Sequence, residues 1–428
     1  MTKHVVRKTG VVAVVVTLLC AACAPTATEV APRATSPSPS ASGHDHAAGG
    51  GTTPRQVRLL LEQLLGHHAI LMVRLMRGPI DDEEQFVDAA QGALQRNTDE
   101  LADAITSVYG DDAGSDFASI WTDHIDSLVA YSRALADGDT GARDDAMRDL
   151  DRYSSRYGEF IATLTDGELS PDAVADGVSA HIHHMLAATD DYEDGDYEGA
   201  FEGERTAYAA MFGTGEALSG AAIRQTTGEL PAGFDSPPAD LRSALGRLLG
   251  EHVELAFDAT RAVVAGSPAV DAAAGALNEN TEEIIAALQG ALGRKTASQF
   301  SEIWAAHIDA VVQFAVAVAD DDDAAQARAR TTLDEFPQQL GTVLPAVSKG
   351  RVAASAVIDA LQEHDEQLLQ QVTAFAAEDY ATSHDLAYAG YHHMFAIAET
   401  LAVALEGHAV GTAPKGGAAT GGGGMSAR

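Results

Sequence analysis

Apolar residues recur along this chain at intervals of three and four, and no segment shows sustained apolar–polar alternation with turn signals. Between Ser115 and Val129, the residues Phe117, Ile120, Trp121, His124 and Leu128 fall on one face of a helix. The stretch returns as Ser298 to Val312, with Phe300, Ile303, Trp304 and His307 in the same register. The histidine therefore stands inside the apolar stripe rather than beside it. This spacing predicts a buried imidazole in each of two related helices.

Read from this anchor, the rest of the first half divides into helices. From about Arg55, a stripe of Leu61, Leu64, Leu65, His68, Leu71, Met72 and Leu75 predicts the first. A second runs from about Glu84 to Tyr109 with Leu94, Asn97, Leu101 and Ile105 on one side, and Gly110 to Gly114 is expected to break it. The third carries His124 and ends near Asp137; a fourth, charged helix spans about Ala142 to Leu164. Ser170-Pro171 reads as an N-cap followed by proline at the first helical position, opening a fifth helix with Val174, Val178, His181 and Met185 on one face. A sixth runs from Tyr197 to Ile223 through Tyr208, Met211 and Phe212.

Residues 226–238, rich in Gly and Pro, read as a linker. The plan then repeats. Leu248-Leu249-Gly250-Glu251-His252 answers Leu64 to His68, and Asn280 answers Asn97. Val357, Leu361, His364 and Leu368 answer the fifth helix, and Tyr391, Met394 and Phe395 answer the sixth. The expected fold is all-α: two tandem bundles of about six helices each, spanning 55–225 and 239–410, with a Gly-rich tail at 411–428.

The start of the chain does not fit this pattern. Lys3, Arg7 and Lys8 precede an apolar run from Val11 to Leu19, which predicts a secretory signal over residues 1–22. The following Leu19-Cys20-Ala21-Ala22-Cys23 resembles the lipobox of bacterial lipoproteins, with Cys20 at a position where leucine is usual. That resemblance implies lipid modification at Cys23 and a protein held on the outer face of the cytoplasmic membrane, where two or more acyl chains give stable anchoring. Residues 23–54, rich in Ala, Ser, Thr, Pro and Gly, would then form a flexible tether. With Cys20 removed and Cys23 acylated, neither of the chain's 2 cysteines remains for a disulfide or a thiolate metal site.

The formal charge of −36 over 428 residues excludes nucleic acid as a natural partner, because such a surface repels phosphate. It also keeps the protein soluble without implying any function. The more informative polar groups lie in the apolar stripes. Of 16 histidines, three pairs recur in both halves: His68 with His252, His124 with His307, and His181 with His364. Asn97 and Asn280 recur in the same way. A buried polar group without a partner costs about 1–3 kcal/mol, so four in one bundle are most stable where they meet.

Three imidazoles arriving from separate helices suit zinc or copper, with Met211 or Met394 nearby favouring copper. The two asparagines would serve as outer groups that orient an imidazole. The competing expectation is a non-enzymatic structural or interaction module whose histidines are hydrogen-bonded core residues. A carrier of a small ligand held between helices is a third. The halves differ in their other histidines: His67, His183 and His184 occur only in the first, and His384, His392 and His393 only in the second.

Catalytic motifs are missing from the sequence. The Glu-x-x-His of di-iron bundles is absent around all six histidines, since Leu65, Trp121, Val178, Leu249, Trp304 and Leu361 stand three residues before them. His-bearing bundles of the hemerythrin type are similar in outline, but Met72, Leu128 and Met185 replace the glutamate four residues on. No His-Glu-x-x-His, haem-attachment, P-loop, dinucleotide or nucleophile-elbow motif occurs, so no catalytic residue is assigned.

Overall fold

The computed structural model describes residues 53–81 and 83–405. These form twelve helices: α1 (Pro54–Ile80), α2 (Glu84–Tyr109), α3 (Asp111–Ala136), α4 (Thr140–Leu164), α5 (Pro171–Glu193), α6 (Tyr197–Thr227), α7 (Pro237–Ala265), α8 (Val270–Leu292), α9 (Arg294–Ala319), α10 (Asp323–Val347), α11 (Ala354–Ala376) and α12 (Tyr380–Leu405). No strand occurs among the described residues, and the fold is all-α. The expected signal segment, Cys23 and the tether up to residue 52 lie outside the described residues, as does the tail from 406.

Local chemistry sets the helix ends. Thr53 and Gln56 close a capping box at the start of α1, and the Ser170 hydroxyl accepts the Ala173 amide at the start of α5. The break expected over Gly110 to Gly114 shrinks to one residue. Gly110, at φ 92°, ends α2 and begins α3 by itself, and Gly293, at φ 73°, does the same between α8 and α9. That backbone conformation strains any residue with a Cβ, so a glycine can make the whole turn. Between the halves, α6 runs on to Thr227 and is ended by left-handed Gly228, leaving 228–236 as the connection.

Each half is built round its first helix. Helix α1 packs against α2, α3, α5 and α6, and α7 packs in the same way against α8, α9, α11 and α12. The remaining helices follow one another around it in chain order. Helices α1 and α9 are apolar and long enough to cross a membrane by composition alone, but 83% of that stretch of α1 is buried within the protein, as expected of a core helix.

The two halves join into one compact body, with α12 against α2, α6 against α8, and α1 against α7. The contact is reciprocal. Tyr208 donates to the Arg247 carbonyl of the second half (2.9 Å), Tyr391 donates to the Gln63 carbonyl of the first (3.1 Å), and the two hydroxyls lie 3.3 Å apart. Gly66 and Gly250 make this possible: a Cβ at either would stand 2.9 Å from an aromatic carbon of Tyr208 or Tyr391.

Charge is also buried at this seam. The Arg74 guanidinium is fully buried and donates to both Asp258 carboxylate oxygens at 3.0 and 3.1 Å, to a Glu254 carboxylate oxygen, and to the Glu254 carbonyl at 2.6 Å. His67 lies in the same layer, its Nε2 3.3 Å from Glu254 and its ring stacked on Tyr391 at 4.0 Å. His384 is buried between Phe86 and Phe257.

Candidate metal centre

The three histidines of each half come from alternate helices: His68, His124 and His181 from α1, α3 and α5, and His252, His307 and His364 from α7, α9 and α11. Because the central helix touches the other two in both halves, the stripes that hold the histidines face one another. All six are buried, with relative exposures between 0% and 6%. Burial pushes them towards the neutral form, the form that ligates metal: His252 and His124 go down to about 3 and His181 to about 4, while His68, His307 and His364 lie well below the ordinary range.

The second half brings its three rings into one cluster. Ring centroids stand 6.0, 6.0 and 5.6 Å apart, and one nitrogen from each of His252, His307 and His364 lies within 4.8 Å of the others. None of the six ring nitrogens has a hydrogen-bond partner. Three nitrogens bound tetrahedrally at 2.0–2.1 Å stand about 3.4 Å apart, so closing on an ion takes rotations of roughly 1 Å at the ring. His307 is fixed in plane by stacking on Phe336 at 4.1 Å, and His252 packs against Trp304 at 4.7 Å.

In the first half, the same residues are arranged differently. His68 and His124 hydrogen-bond to each other, Nε2 to Nε2 at 3.1 Å, so one ring donates and the other accepts. His181 stands further off, its ring centroid 6.3 Å from that of His68. Tyr153 stacks on His124 at 4.5 Å, in the position Phe336 takes against His307. Trp121 and Trp304 pack against the histidines and against Phe117 and Phe300, so they are core residues.

The asparagines reach the central helix, not the rings. Asn97 donates to the Leu64 carbonyl at 2.9 Å, and Asn280 donates to the Leu248 carbonyl at 3.0 Å and to Glu251 at 2.8 Å. Each acceptor lies one turn before the first histidine of its half. The amides thus hold the helix turn that carries the histidine rather than orienting an imidazole directly.

One residue that the stripe pattern did not select stands beside the second cluster. Asp365 is buried, both its carboxylate oxygens lack a hydrogen-bond partner, and one lies 3.3 Å from His307 Nδ1. Burial, with Asp334 adding, raises its pKa well above the usual carboxylate range. The corresponding residue of the first half is Ile182, also buried. Adjacency to His364 was the available signal, but successive residues on a helix point about 100° apart. Only the packing of α9 beside α11 brings Asp365 to a histidine on another helix.

Among the described residues, the other histidines do not join either cluster. His183 and His184 are exposed, His392 and His393 are half-buried, and His393 hydrogen-bonds the Ala360 carbonyl at 2.8 Å. Among the described residues, the second-half group is the set of three or more histidines, cysteines or acidic residues close enough to hold one ion. No family model, curated protein or solved structure matches the chain.

Proposed function

We propose that this protein binds one transition-metal ion, copper or zinc, through His252, His307 and His364. The carrying observation is that three neutral, buried imidazoles converge from three helices with one nitrogen of each within 4.8 Å of the others, and that none of their nitrogens has a polar partner besides the Asp365 carboxylate 3.3 Å from His307 Nδ1. Each unmet buried polar group costs about 1–3 kcal/mol, so an ion that satisfied these nitrogens would stabilise the fold. Asp365 behind His307 matches the outer carboxylate that commonly fixes a ligating imidazole. Met394 lines the same cavity as His364, a feature that favours copper(I).

The His68 and His124 pair supports the structural reading for the first half, since one nitrogen of each is already satisfied there, while the second nitrogen of each ring and both of His181 have no hydrogen-bond partner. His68, His124 and His181 are therefore a second and weaker metal set. With the lipobox-like Cys23, the functional reading is an extracytoplasmic, membrane-anchored metal-binding lipoprotein without an assigned catalytic role.

Elemental analysis of tag-free protein tests the metal. One equivalent is expected in the wild type and in a His68/His124/His181 triple alanine variant, and none after the same change at His252, His307 and His364. Equal metal in all three proteins would remove the proposal. Anchoring is tested separately: Cys23→Ala should move the protein from the membrane to the soluble fraction.

A further inference from the structure

The helix turns that carry the histidines are held by side-chain donors from neighbouring helices, and the two halves differ in this. Asn280 on α8 donates to the Leu248 carbonyl, four residues before His252, and Asn97 on α2 donates to the Leu64 carbonyl, four residues before His68. In an α-helix that carbonyl also accepts the histidine's own amide, so the bond fixes the turn from which the ring projects. The second half has a further bond of this kind. His393 Nε2 on α12 lies 2.8 Å from the Ala360 carbonyl of α11, four residues before His364. A carbonyl only accepts, so Nε2 carries a proton and donates it.

The first half has no counterpart among the described residues. Ala210 stands where His393 does and has no side-chain donor, and Gly177 stands where Ala360 does. His181 is also the ring that stands off, its centroid 6.3 Å from that of His68. His364 lies closer in, 6.0 Å from His252 and 5.6 Å from His307. His393 itself is half-buried and outside the cluster, since the nitrogens within 4.8 Å of one another belong to His252, His307 and His364.

We infer that His393 is a positioning residue for the second-half site, setting the place of His364 through the Ala360 carbonyl; the role rests on the metal reading of His252, His307 and His364. An ion draws its ligands together by turning rings or by moving helix turns. Where the turn is fixed, only the ring has to move, and less binding free energy goes into ordering the protein. Asn280 fixes the turn of His252, while Asp365 and Phe336 flank the ring of His307. With His393 behind the turn of His364, each of the three ligands has a neighbour that holds it.

The test compares the full-length wild type with two variants. His393→Phe keeps a ring and has no donor; His393→Gln keeps a donor that reaches the same carbonyl. Both replacements are close to histidine in size at a half-buried position, so the fold tolerates them. Zinc and, without oxygen, copper(I) are each titrated against a competing chelator. His393→Phe should bind about ten- to a hundredfold more weakly, as for loss of an outer partner of a ligating histidine, and His393→Gln within about threefold of the wild type. A residue that only tied α12 to α11 would change the urea midpoint of the metal-free protein and leave the affinity alone. Equal affinities in all three proteins, or equal losses in the two variants, would overturn the inference. Nitrogen-15 spectra of the metal-free protein check the bond itself: protonation of His393 at Nε2 is expected, and protonation at Nδ1 alone would also overturn it. A wild type that bound neither ion would remove the metal reading and this role with it, whereas equal affinities would remove the role alone.

Discussion

Replacing His364 by leucine separates a metal ligand from a structural core residue. The side chain is 1% exposed, it is neutral, and both ring nitrogens lack partners. Leucine is close to it in volume and removes an unmet donor and an unmet acceptor, and the adjoining cavity of about 40 Å³ absorbs any difference in shape. Relieving unmet hydrogen bonds stabilises by about 1–3 kcal/mol, so metal-free His364→Leu should be more stable than the wild type by that amount. With metal the order reverses. An ion at one hundred times its dissociation constant adds about 2.7 kcal/mol to the wild type and little to a variant with two ligands. Over about 350 cooperatively unfolding residues, this is a rise in Tm of about 4 °C. Urea titrations followed by circular dichroism and by tryptophan fluorescence, with and without chelator, give both numbers. If metal-free His364→Leu is destabilised by 1 kcal/mol or more, the imidazole has partners in the folded state and the argument for a vacant ligand set fails.

Acidification should weaken the fold between about pH 6.5 and 4. His124, His252 and His384 titrate at about 3 and His181 at about 4 when folded, so in that window the unfolded chain binds more protons. At pH 5 each costs about 2 kcal/mol, partly offset by Glu62 and Glu204, whose folded values near 6 and 7 act in the opposite sense. A urea midpoint that stays constant from pH 7 to 5 would contradict this. Arg74→Met should destabilise by about 3–5 kcal/mol, because Glu254 and Asp258 would stay buried without their cation. Equilibrium unfolding checks it, and a loss below 1 kcal/mol would mean that water reaches the seam.

The sequence alone determined that the chain is all-α, that its helices repeat in two sets, and that six histidines point inward. All of this follows from one periodicity, since a residue's face on a helix is fixed by its spacing from its neighbours. Spacing could not show how one helix is rotated against the next. The tertiary structure therefore decided that Asn97 and Asn280 reach backbone carbonyls, that His68 and His124 bond to each other, and that Asp365 meets His307. It also decided that the halves share one seam round Arg74, where opposite charges from α1 and α7 neutralise each other. Two halves with nearly the same pattern thus hold different clusters, because contacts between helices depend on sub-ångström packing that a repeat of residue types does not encode.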